Sequence, residues 1–97
     1  MIVSFWDRAT EDVYHNRPTR RARRFSPDLV ALALVKLDLL NGAAAMRDLR
    51  SPPGNHLEAL RGDLEGYHSI RVTGQWRLVF RWEAGNAHKV WLIDYHR

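Results

Sequence analysis

The spacing of apolar positions changes character along this chain, and each change marks an element. Met1 to Trp6 alternates, with Ile2 and Trp6 on one side and Val3 and Phe5 on the other, which predicts a first strand. Asp7 is placed to cap a short helix over residues 8–15, where Ala9 and Val13 share a stripe with Trp6. Asn16-Arg17-Pro18 ends it, because the residue before a proline avoids the helical region. A second, longer helix opens at Ser26-Pro27: the serine hydroxyl accepts an orphan amide proton and proline takes the first helical position at no hydrogen-bond cost. It runs to Asn41-Gly42, where glycine permits a left-handed ending. Leu29, Val30, Leu32, Leu34, Val35, Leu37, Leu39 and Leu40 make nearly every side apolar, so this helix is either sandwiched in the core or covered by a partner on its outer face. Residues 43–55, with Ser51-Pro52-Pro53-Gly54, read as a loop.

Beyond residue 55 the period shortens to two. His56 to Leu60, Tyr67 to Val72, Gln75 to Trp82 and His88 to Tyr95 are the expected strands, and their short glycine-bearing links imply antiparallel hairpins. Trp76, Leu78, Phe80 and Trp82 share one face, with Gln75, Arg77, Val79 and Arg81 opposite. Ile70 and Val72 agree, set against Ser69, Arg71 and Thr73. One sheet face is thus apolar and the other lined by arginine. The long helix can cover the apolar face, giving an α+β, two-layer domain: β-α-α followed by an antiparallel β meander, with the helices packed on one sheet face.

Composition narrows the function classes. Ninety-seven residues suit one domain spanning 1–97, and 45% hydrophobic with 27% charged residues is an ordinary globular balance. The absence of cysteine removes disulfides, zinc ribbons and thiol nucleophiles. No apolar run approaches the ~20 residues that cross a bilayer, and the N-terminus lacks the basic stretch and apolar run of a signal peptide, so a cytoplasmic protein without membrane contact is expected. The formal charge is +4, and the cations are almost all arginine, with lysine only at 36 and 89. Arginine forks pair with phosphate and stack on bases, which favours nucleic acid; GC-rich coding is the alternative source of the bias. Arg17, Arg20, Arg21, Arg23 and Arg24 crowd one short segment, either a solvated loop or a patch for an acidic partner.

Several stretches together resemble a known family. Arg61-Gly62-Asp63, Glu65-Gly66-Tyr67-His68-Ser69-Ile70-Arg71-Val72, Gln75-Trp76-Arg77-Leu78-Val79-Phe80-Arg81-Trp82 and Ile93-Asp94-Tyr95-His96 are similar to the HigB branch of the RelE/ParE toxins, and the likeness covers essentially the whole chain. The resemblance implies a RelE-like fold and a type II toxin that cleaves mRNA on the translating 70S ribosome without metal or cofactor. It also implies neutralisation by a helix-turn-helix HigA-type antitoxin, with operator DNA contacted only through that partner. By position, Arg61, Arg77, Asp94, Tyr95 and His96 match the family's site residues. Glu58 stands where some relatives carry histidine and Arg61 where others use lysine. A guanidinium does not release its proton near neutral pH, so Arg61 is expected to act electrostatically.

Metal-free RNA cleavage by the neighbouring 2′-hydroxyl has three tasks: remove its proton, neutralise charge at phosphorus and protonate the leaving 5′-oxygen. His96 titrates nearest neutrality and is the leading acid or base candidate. Arg77 and Arg61 are placed to clamp phosphate, while Glu58 is a second candidate base, a partner for Arg61, or simply one member of a strand-face ion pair. Asp94 and Tyr95 alternate in direction, so one of them is expected to be structural: Tyr95 can stack on a base and Asp94 can hold an arginine or His96. Arg71, Arg81 and Lys89 are the expected RNA contacts. Trp76 and Trp82 are expected in the core, with Trp91 left open. The five histidines offer no pair at helical ligand spacing, and no phosphate-cradling glycine loop occurs. A ParE-like gyrase inhibitor and an inactive antitoxin-binding remnant are the alternative functions. Whatever the activity, the antitoxin is expected to cover Arg17 to Arg24 or the outer side of the long helix.

Overall fold

A computed structural model describes residues 1–95. Helices α1 (Arg8–Tyr14) and α2 (Pro27–Gly42) pack on one face of a four-stranded antiparallel sheet. Its strands, β1 (Glu58–Ala59), β2 (Tyr67–Arg71), β3 (Trp76–Glu83) and β4 (Asn86–Asp94), lie in sequence order. The expected α+β meander is the observed architecture. His96, the expected acid or base, lies outside the described residues.

Both helix starts follow from their caps. Asp7 Oδ1 accepts from the Thr10 amide at 2.9 Å, and Ser26 Oγ accepts from the Leu29 amide at 3.2 Å with Pro27 behind it. Such caps contribute about 1 kcal/mol each. α2 buries a single stripe, Leu29, Ala33, Leu37 and Leu40, against Ile70, Leu78, Phe80, Val90 and Leu92 of the sheet. It is not sandwiched: Leu32 and Val35 are 49% and 63% exposed. Gly42 is the last residue of α2 and needs no left-handed φ; the helix stops because Ala43 turns extended (φ −68°, ψ 130°).

The N-terminal segment departs from expectation. Instead of a strand, Met1 to Trp6 makes two isolated parallel bridges, Ile2 to Ala87 and Phe5 to Val90. The cause lies in β4: Lys89 takes a left-handed φ of 56° within a bulge that shifts the β3–β4 register between Val79 and Arg81. A continuous ladder cannot cross that kink, so the Lys89 amide donates to Ser4 Oγ at 2.9 Å instead. Further on, the Leu92 amide donates to Thr10 Oγ1 at 3.1 Å. Segment and helix together cover the outer edge of β4 against unwanted strand pairing. At the other side β1 keeps two residues of the longer strand expected at 56–60. The β3–β4 link is also tighter than expected: Ala84 (φ 51°) and Gly85 (φ 78°) form a two-residue turn closed by the pair Glu83 and Asn86.

The arginine-rich segment is tied down from beneath. Asp12, 1% exposed, accepts from Thr19 Oγ1 at 2.7 Å and Arg21 Nε at 2.6 Å, and pairs with Arg17 at 3.5 Å. The Thr19 hydroxyl, helped by Arg21 and Arg17 and opposed by burial, holds the Asp12 carboxyl below its ordinary range. The Ala45 and Ala44 amides do the same for Asp48. A depressed carboxyl contributes stability above its unfolded pKa of ~3.9 and loses it as pH falls through the folded value. Asp12→Asn is therefore expected to melt lower than wild type at pH 7, with the difference shrinking below about pH 4. A constant gap in melting temperature from pH 7 to pH 3 would show that Asp12 has no linked proton.

Candidate active site

The strand registers sort the exposed face of the sheet into rows. Glu58, Ser69, Val79 and Trp91 form one row across all four strands; Arg71, Arg77 and Ile93 form the next toward one end, and Tyr67, Arg81 and His88 lie toward the other. Arg77 is the best-held cation of this face. Its Nε donates to Ser69 Oγ at 2.8 Å, its Nη2 to the His56 carbonyl at 2.5 Å, and its Nη1 lies 3.3 Å from Glu58 Oε1. The guanidinium carbon sits 5.6 Å from the centre of the Tyr95 ring. The side chain is 11% exposed. Burial lowers its pKa while Glu58 and Tyr95 oppose that shift, and Arg71 adds to it; the group stays charged at neutral pH.

The fold makes this arrangement from local features. Pairing across β2 and β3 puts Ser69 beside Val79, two residues along from Arg77, so the hydroxyl meets Nε. His56, in the left-handed region (φ 45°), presents its carbonyl at the end of the Pro53–Asn55 turn. The protein thus engages all three guanidinium nitrogens, Nε and Nη2 through hydrogen bonds and Nη1 through the ion pair with Glu58. The two side chains against the guanidinium, Glu58 and Tyr95, also line a recess of about 540 Å³ together with Ala59, Leu60 and Arg61.

Of the residues singled out from sequence, Glu58, Arg61 and Tyr95 share the recess, and Arg77 meets two of them, Glu58 and Tyr95. Glu58 pairs with Arg77, not with Arg61. Asp94 and Tyr95 do point apart: Asp94 pairs across from Trp76 on the helix-covered side and accepts from Gln75 Nε2 at 2.8 Å, while Tyr95 lies against Arg77. Arg71 and Arg81 share the Arg77 face. Lys89 does not join them; it is exposed in the bulge, four residues along β4 from Ile93, about 13 Å away.

One expectation needs correction. The face is not simply lined by arginine, because Ser69 and Val79 at its centre are fully buried. Trp6 stacks on Trp91 at 5.0 Å and 17°, and meets Tyr67 edge-on at 6.4 Å. The Trp6 ring thus joins β4 to β2 across this face. Trp91 is thereby placed outside the core, whereas Trp76 and Trp82 pack against it. Sequence inspection missed Ser69, the His56 carbonyl and Trp6. Ser69 was findable, as the small hydroxyl alternating with arginine on the polar side of its strand; the other two depend on backbone paths that no local pattern specifies. Among the described residues no three histidine, aspartate or glutamate side chains gather as a metal site.

Two helices on a four-stranded antiparallel meander define the small RelE/YoeB-like toxin fold. A YoeB-YefM toxin-antitoxin complex from Staphylococcus aureus aligns with a TM-score of 0.61 at 15% identity, over 100% of this chain and 99% of that one. A mutant of YafQ from E. coli aligns at 0.60 and 17% identity, over 97% and 93%. Sequence is more specific. Residues 3–96 match the HigB-like toxin family, described as the RelE-like toxin of type II toxin-antitoxin system HigB. Toxin HigB-1 of Vibrio cholerae serotype O1 is 41% identical over 98 residues, covering 100% of this chain and 99% of that one. Endoribonuclease HigB of Proteus vulgaris is 45% identical over 40 residues, 41% of this chain and 44% of that one. The chain belongs to the HigB-like toxin family.

Proposed function

We propose that this toxin is an endoribonuclease that cuts mRNA on the ribosome by attack of the 2′-hydroxyl on the adjacent phosphorus, without a metal ion. The observation that carries the reading is the Arg77 guanidinium, fixed on three sides and set against Glu58 and Tyr95, which line a recess together with Arg61. The likeness to a relative named Endoribonuclease HigB supports it. Arg77 and Arg61 meet the charge that grows on the phosphate. Either Glu58 or His96 takes the 2′-hydroxyl proton, and His96 is the candidate for returning one to the departing 5′-oxygen. Tyr95 backs the guanidinium and offers a ring to a base; Asp94 holds the end of β4 through Gln75. Arg71 and Arg81 extend the positive face along the RNA, with Lys89 a more distant contact.

The partners proposed are the 70S ribosome with its mRNA and a helix-turn-helix HigA-type antitoxin, through which alone operator DNA is reached. A groove of about 420 Å³ between α1, the arginine-rich segment and α2, lined by Val13, Phe25, Val30 and Leu34 with Arg17 and Arg23 at its rim, suits an apolar, acidic segment of that antitoxin. The cytoplasm is the proposed location; no helix among the described residues is long and apolar enough to cross a membrane.

Brief induction of the toxin alone is expected to produce new 5′ ends inside coding regions, and His96→Ala is expected to abolish them. Mapping RNA 5′ ends decides the matter. Growth arrest with intact mRNA and a DNA-damage response would point instead to gyrase, and harmless expression to a remnant that only binds antitoxin.

A further inference from the structure

Trp6 is 49% exposed, yet it is one of the better-anchored side chains of the surface. Its amide donates to the Val90 carbonyl at 2.9 Å, and its ring is stacked on Trp91 and braced by Tyr67. A rigid indole braced by two other rings, with half its surface left in water, is a preorganised aromatic face. Guanidinium groups surround it: Arg81, paired with Glu83 at 3.6 Å, lies 5.8 Å from the centre of the Tyr67 ring, and Arg71 and Arg77 follow along the same face. Trp91 occupies the row next to Arg77, offset by two residues along the strand and one strand across, about 7 and 5 Å. That offset is within reach of a nucleotide adjoining one whose phosphate sits at Arg77. Stacked aromatic rings interleaved with guanidinium groups are how single-stranded nucleic acid is held without reading its sequence.

We infer that Trp6, held by Trp91 and Tyr67, is a stacking platform for a nucleobase of the single-stranded RNA whose phosphate is gripped by Arg77. The inference rests on the ribonuclease reading and adds a binding site to it. The flanking charges favour RNA over an apolar protein segment as the occupant, and the π-face of the indole makes the contact tolerant of base identity.

The test uses the full-length chain and a dye-labelled adenosine hexanucleotide whose 2′-hydroxyls are replaced by hydrogen, so that it binds without being cut. Trp6→Leu keeps apolar bulk at this position and removes the π-face; it is expected to weaken binding about 5- to 100-fold, while Trp6→Phe stays within about threefold of wild type. A hexanucleotide made abasic at the stacked position should bind wild type as weakly as Trp6→Leu binds the intact one, and the two losses should not add. Because the abasic arm uses wild-type protein, it decides the question even if Trp6→Leu fails to fold. Equal affinity for intact and abasic hexanucleotides at every position overturns the platform, as does an equal affinity of Trp6→Leu and wild type or the lack of saturable wild-type binding. Unchanged RNA affinity with weakened antitoxin binding reassigns the surface to protein. If Arg77-dependent cleavage persists in any of these cases, only the platform falls; if wild type cuts no RNA on ribosomes, the ribonuclease reading falls with it.

Discussion

Arg77→Ala is expected to lower mRNA cleavage by about 10²- to 10³-fold, the usual cost of losing a preorganised donor at a developing oxyanion. On the proposed mechanism the guanidinium acts on the transition-state phosphate, so the effect should appear at saturating ribosome concentration. Arg77→Lys is the informative control. An ammonium keeps the charge, but it is a compact point charge without the planar fork that meets Ser69, the His56 carbonyl, Glu58 and a phosphate at once, so it should recover little of the loss. Circular dichroism must show both variants folded, since truncation strands the Ser69 hydroxyl and the His56 carbonyl. Single-turnover cleavage within about threefold of wild type for the alanine variant would remove Arg77 from the reaction.

The largest effect on stability is expected from Phe80→Ala. Phe80 is fully buried in the middle of β3, beside His68 and Trp82 and within the cluster that α2 covers. Deleting its ring should cost about 3–5 kcal/mol, a large part of the 5–15 kcal/mol that a domain of this size commands. A fall in melting temperature of about 12 °C or more follows. Phe80→Leu, which refills most of the volume, should lose less than half as much. A drop of only a few degrees for the alanine variant would mean that the cluster collapses around the gap.

Much of this is legible in the residues alone. Asp7 and Ser26-Pro27 announce both helix starts because a cap acts within one turn of chain. The alternation in 76–82 separates core from surface because strand sides are set by parity. Arg77 and Tyr95 fall on the same side for that reason, with Asp94 on the other. The N-terminal hexapeptide reads as a strand and is not one, because its pairing depends on a bulge at Lys89, more than eighty residues away in the chain. The tether of the arginine-rich segment escapes sequence inspection because nothing local marks Asp12 as buried.

What the sequence determined by itself is the class of fold and the side of the sheet on which its cations lie, since capping and alternation are short-range effects carried by neighbouring residues. Tertiary structure alone decided which arginine is preorganised and what shares its surface. Arg77 owes its position to a serine one strand over and a carbonyl two strands away, and the aromatic cover beside it joins position 6 to positions 67 and 91. Contacts of that kind are set by how the sheet twists and where a bulge interrupts it, and those depend on the packing of the whole chain.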